Sequence, residues 1–191
     1  MTDVDTADMP HEAPDQPRTA RRTAGRLALV VGLVAFVTFW TWALFFASKE
    51  AINRVDDRAW AERAEQICQS ANRERLALAD FREMSDPTPE LVRERAAIVD
   101  RATDVVERML DAVVAEPPSD AKGRALVPLW ETDYRTYISD RRAFTEVLRS
   151  TGENAPFYET EVSGIPISEK LETFAGDNEM PACAPPRDLT R

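Results

Sequence analysis

Two cysteines, one arginine set among aromatics and two short acidic runs are the side chains of this sequence with chemistry to offer. Cys68 and Cys183 are the whole cysteine content, so they form one bridge or none. A bridge closing so long a loop would constrain the unfolded chain by roughly 4–5 kcal/mol on the entropic model, and it would pin a Pro-rich tail to the first helix of its domain. The alternative is two unrelated thiols, one on a helix face and one in the tail. Zinc normally takes about four N or S ligands, which two thiols and the single histidine, His11, do not supply. Arg141 falls on the same helical face as Trp130, Tyr134 and Tyr137, with Trp60 on an earlier helix. These five residues either line a pocket in which Arg141 meets an anion or pack a core in which Arg141 pairs with a buried acid.

The carboxylates of Tyr158-Glu159-Thr160-Glu161 and Asp177-Asn178-Glu179 are candidates for acid and base work or for calcium. Acidic runs in loops are ordinarily solvated, and the second run matches no calcium-loop spacing. No Walker loop, dinucleotide fingerprint, HExxH or GxSxG occurs, and the region after the apolar segment lacks the histidine that a hydrolytic triad needs. The expectation is a protein that is not an enzyme and carries no cofactor. The balance of 34 acidic against 24 basic residues, without a basic stretch interleaved with aromatics, excludes nucleic acid as the expected partner.

The elements that must position these residues begin with Leu27 to Ser48, an uncharged run of about 22 residues that spans roughly 33 Å as a helix. That matches a hydrocarbon core of about 30 Å. A cleaved signal peptide is the closer rival. Its apolar core usually runs only ~7–15 residues and ends at a small-x-small site, whereas Phe45 and Phe46 precede Ala47 and Ser48 by two positions. The segment reads as an uncleaved anchor whose main partner is the lipid bilayer. Arg18, Arg21, Arg22 and Arg26 outweigh Lys49 and Arg54 close to its ends, which places the N-terminus inside and the rest outside the cytoplasm. Ala28, Gly32 and Ala35 form a small-residue strip that would let a second helix approach.

Residues 1–26 are rich in Pro and Asp and poor in apolar side chains, a composition expected to stay disordered. Residues 49–191 read as successive helices, an all-α antiparallel bundle of three to four helices. The first runs to about Glu83, with Trp60, Ala64, Ile67, Ala71, Leu78 and Phe81 on one face, and is expected to continue the membrane helix. Thr88 and Pro89 suit the start of the second, whose stripe is Leu91, Ile98, Ala102, Val105, Met109 and Val113. The third runs from Ser119 or Asp120 to about Ser150, bent or delayed by Pro128 and closed by Gly152. A short fourth helix begins at Ser168. Asp104 with Arg108 and Glu131 with Arg135 have i, i+4 spacing.

Two functional readings follow. One is a membrane-anchored extracytoplasmic interaction module, an accessory or scaffold subunit contacting other membrane or envelope proteins. The other is a small-molecule-binding or sensory bundle at the outer membrane face, which requires an enclosed pocket among the aromatics.

Overall fold

The computed structural model describes residues 18–45 and 51–189, with the side chains of its first helix described from Gly25 onward. The chain divides into two units, Met1–Lys49 and Glu50–Arg191. In the first, α1 (Arg18–Phe45) carries an apolar stretch, Gly25–Phe45, of 21 residues with mean hydropathy 2.2 and no residue buried. At about 1.5 Å per residue it is long and apolar enough to cross a membrane. A core helix would hide one face, and this one hides none. Helix α1 starts earlier than expected, taking residues 18–26 from the anticipated tail, because its Arg and Ala are good helix formers and no proline intervenes. Residues 1–17 of that tail, and 46–48 of the expected membrane span, lie outside the described residues.

In the second unit, α2 (Arg58–Leu76) is not a continuation of α1, since residues 51–57 form turns and bends. Freedom from Gly and Pro is not enough to keep a helix going here. Asn and Asp compete for backbone groups and favour caps, and Asp57 caps α2 by accepting from the Trp60 N–H at 3.0 Å. Asp80 has the same effect beyond the other end of α2, accepting from the Arg82 N–H at 3.1 Å within the loop that follows. Helix α3 (Pro89–Val114) begins as its sequence indicates, with Thr88 as cap and Pro89 at the first position. Helix α4 (Ala121–Thr151) is capped by Asp120 and retains Pro128 in its interior. It ends at Gly152, whose φ of 68° is unfavourable with a Cβ, and a Cβ would lie 2.9 Å from that of Pro89.

Between α4 and α5 (Ile167–Asp177) stands a small hairpin. Its strands, β1 (Glu161–Val162) and β2 (Ile165–Pro166), pair antiparallel around Ser163 and Gly164, both at positive φ, as a tight hairpin turn requires. A 3₁₀ turn, Pro181–Cys183, follows α5. Helix α3 packs between α2 and α4, α5 covers α4, and the 3₁₀ turn returns to α2. Short connections make successive helices antiparallel neighbours, so the unit is the all-α bundle expected.

The main core joins Trp60, Ala64, Leu110, Trp130, Tyr134 and Leu171, and a smaller one joins Val92, Ala96, Val99, Phe144, Leu148 and Leu189. The α4 stripe is buried nearly as its period indicates. On α3 the burial is broader, taking in Val92, Ala96, Val106 and Leu110 while Leu91 and Ile98 stay half-buried, because α3 is covered on two sides. Phe81, placed by periodicity on the core face, is 93% exposed, since the helix has ended before it.

Candidate functional site

The polar constellation of the second unit is built on Arg141. The period of α4 sets it on the face that buries Tyr137, Phe144 and Leu148, and its side chain is 0% exposed. Its Nη1 and Nη2 donate to Asp188 Oδ1 at 2.6 Å and Oδ2 at 3.2 Å. Nε donates to Thr103 Oγ1 on α3 at 2.9 Å, and that hydroxyl donates onward to the Val99 carbonyl at 2.7 Å. The guanidinium carbon also lies 5.9 Å from the centre of the Tyr137 ring, within cation–π reach.

Arg75, at the end of α2, brings Nη1 to 3.4 Å from Asp188 Oδ2. Its side chain is 15% exposed, and its Nε is buried without an acceptor among the described residues. Burial works to raise the Asp188 pKa, but the Arg141 hydrogen bonds and charge, with the Arg75 charge, outweigh it and hold the carboxyl below the usual carboxylate range.

Asp188 reaches this position because the tail is fastened along its length. Cys68 on α2 and Cys183 lie at bonding distance, 2.04 Å between sulfurs. Asn72 Nδ2 donates to the Ala182 carbonyl at 2.7 Å, Glu65 Oε2 accepts from the Ala182 N–H at 2.9 Å, and the Tyr137 hydroxyl donates to the Pro186 carbonyl at 2.7 Å. Leu189 closes the smaller core. A second fastening joins residues 53–58 to the end of α5. Asn178, 0% exposed, accepts from the Val55 N–H at 2.7 Å and donates to the Asn53 carbonyl at 2.9 Å, while Arg54 and Arg58 pair with Glu179.

The five residues weighed as a pocket are packed rather than arranged around a common space. Trp60 is 1% exposed, Trp130 3%, Tyr134 0% and Tyr137 2%. Trp130 stacks on Phe174 and meets Tyr134 edge-on, both at 5.3 Å between centroids. Trp60 Nε1, Trp130 Nε1 and Tyr134 Oη are buried without a hydrogen-bond partner among the described residues, at a cost on the order of 1–3 kcal/mol each. Burial raises the Tyr134 and Tyr137 hydroxyl pKa values. Trp130 forms the floor of a surface cleft of about 350 Å³ between α4 and α5, with Leu126, Leu129, Ile165 and Phe174. Tyr137 borders a different cleft, with Phe157 and Pro186.

The acidic runs serve the fold. Glu159 accepts from the N–H and hydroxyl of Ser168 in the first turn of α5, and Asp177 accepts from Asn53 Nδ2 at 3.2 Å. Arg135 pairs with Glu131 at 2.7 Å as the spacing indicates. Asp104 and Arg108 instead reach across helices, to Arg142 at 2.5 Å and Glu74 at 2.7 Å. Ala28, Gly32 and Ala35 lie exposed on α1, and a Cβ on Gly32 would meet nothing within 4 Å. The residues missed from sequence are Asp188, Thr103 and Arg75. A tail carboxylate after two prolines has no periodic signal, and Thr103 and Arg75 read as ordinary helix surface.

The second unit is thus an all-α bundle with a strapped C-terminal tail, in a chain bearing one N-terminal helix apolar enough to span a membrane. No protein-family model, curated protein sequence or solved structure matches the chain.

Proposed function

We propose that the chain is a single-pass membrane protein, N-terminus in the cytoplasm, whose Glu50–Arg191 unit lies outside it as an interaction module, an accessory or scaffold subunit for other membrane or envelope proteins. The observation that carries the reading is the filling of the aromatic core. The side chains best suited to an enclosed ligand, Trp60, Trp130, Tyr134, Tyr137 and Arg141, are at most 3% exposed and are committed to holding helices and tail together. The surface retains apolar groups, with Leu129 64% and Ile165 44% exposed beside the α4–α5 cleft. Apolar patches rimmed by polar residues are a common feature of protein contact sites, and Asp133, Glu169 and Lys170 rim this one. The bridged cysteines support an oxidising compartment for this unit, in line with the arginines that precede the apolar helix.

The test is crosslinking in intact membranes followed by mild-detergent capture of the tagged full chain. The expected result is a stoichiometric membrane or envelope partner that is lost when Leu129 and Ile165 are both changed to Asp. Recovery of no stoichiometric partner, or a partner indifferent to that double change, would sink the reading.

A further inference from the structure

The end of the bundle away from residues 51–57 holds an imbalance that the fold does not need. Two guanidiniums, that of the buried Arg141 and that of the half-buried Arg75, share the single carboxylate of Asp188. Arg141 takes both oxygens at hydrogen-bond distance, whereas Arg75 has one long contact at 3.4 Å and a buried Nε with no acceptor among the described residues. A buried guanidinium nitrogen left without an acceptor is costly, and a second anion reaching Arg75 would relieve it.

Arg75 also lines a cavity of about 230 Å³ between the end of α2, the 77–88 loop, α3 and the tail. Its other walls include Leu78, Met84, Ile98, Val99 and Ala102. Arg82 and Arg95 stand at the same cavity, Arg82 held by Asp80 and Glu94 and Arg95 bonded to Asn154 at 2.9 Å. The lining as a whole is about evenly polar and apolar, with the Asp80 and Asp188 carboxylates also at its edge, and the part-paired Arg75 beside the apolar wall gives a small ligand one placed charge and one surface to lie against. It lies apart from the Trp130 cleft, which α4 and α5 form.

We propose that this cavity binds a small amphiphilic monoanion, a carboxylate with a short apolar body, the carboxylate meeting Arg75 and the body lying against Met84, Ile98 and Val99. The occupant is a small molecule because the volume admits only on the order of ten non-hydrogen atoms, given that a cavity of about 150 Å³ takes benzene. The anion is single because Asp188 already answers one of the two guanidiniums. This site does not depend on the interaction reading and stands or falls separately from it.

The test uses the full chain in nanodiscs, with empty nanodiscs as blank. Octanoate labelled with ¹³C at its carboxyl is titrated and followed by NMR, beside octanamide, which has the same body without the charge. The expected result is saturable one-to-one binding of octanoate, with octanamide weaker by about tenfold or more, the usual size of a charge-assisted hydrogen bond. Arg75→Gln should bring octanoate down to the octanamide level. Ile98→Trp, which narrows the cavity at a half-buried position, should abolish both. Arg75→Lys should keep the preference for the anion. Helical circular dichroism establishes that each variant is folded. Equal affinity for octanoate and octanamide, or Arg75→Gln leaving octanoate unaffected, overturns the proposal. So does a short peptide ending in Leu that saturates the site when octanoate does not.

Discussion

Replacing Asp188 with Asn keeps the shape of the side chain and removes the one full negative charge that Arg141 contacts among the described residues. Arg141 is 0% exposed, so its charge has nowhere else to go, and Arg75 alongside adds repulsion. Breaking a buried ion pair from one side costs about 3–5 kcal/mol. The Asp188 side chain is 28% exposed, which lets water reach the site and brings the expected loss to about 2–3 kcal/mol. Replacing both partners, Arg141→Met with Asp188→Leu, removes the buried pair together and should cost less than the single change, about 1–2 kcal/mol, because the Thr103 hydroxyl still has Val99 to donate to and the half-buried Arg75 loses only its 3.4 Å contact.

The assay is urea unfolding of the full chain in micelles without reductant, read by helical circular dichroism and by emission from the buried Trp60 and Trp130. The Asp188 pKa is depressed in the folded state. Its contribution is therefore present in full above the unfolded value of about 3.9 and is lost as pH falls through the folded value. The Asn variant should show a flatter stability profile below about pH 4. A loss under about 1 kcal/mol for Asp188→Asn, or a double replacement as costly as the single one, would refute the reasoning.

The covalent tie and the glycines give the remaining expectations. Changing Cys68 and Cys183 to Ser, which opens a bridge across a separation of 115 residues, should cost about 2–5 kcal/mol and speed tryptic cleavage after Arg187. An unchanged urea midpoint would contradict it. A Cβ on Gly123 would fall 2.6 Å from Asp120 Oδ2 and 2.7 Å from both Pro118 Cγ and Val55 Cγ1, so Gly123→Ala should destabilise by about 1–3 kcal/mol despite its better helix propensity. A Cβ on Gly176 would meet nothing within 4 Å, so Gly176→Ala on α5 should stabilise by up to about 1 kcal/mol. Thermal unfolding of the two side by side separates packing from propensity, and a shared sign would show that packing is not what decides.

Local physics made much of the bundle readable. Thr88-Pro89 opened α3 and Gly152 closed α4 because capping acts over three or four residues. The α4 face from Trp130 to Leu148 followed its period because one helix face meets one core. The reading failed where structure depends on partners distant in the chain. The end of α2 at Leu76 left Phe81 in a loop, the doubly covered α3 buried more than one stripe, and the Ser163-Gly164 turn was too brief to stand out. The site fared in the same way. Arg141 was conspicuous as a charge among aromatics, but its partner lies 47 positions away in a tail with no repeating pattern, and Arg75 acquires its meaning only from Asp188.

The two fastenings of the tail bear on how the bundle would carry load. Tension applied between α1 and the C-terminus has a short covalent route, from residue 67 into Cys68, across the sulfurs to Cys183, and out through the last residues. Helices α3, α4 and α5 lie wholly within the bypassed loop, so such a pull can straighten the segment before Cys68 and the tail after Cys183 but cannot draw those helices out. Ahead of that route, the hydrogen bonds between Val55 and Asn178 and between Asn53 and Asn178 would have to part first. The unit is wired as a mechanical shunt, with a breakable latch in front of a fixed-length strut.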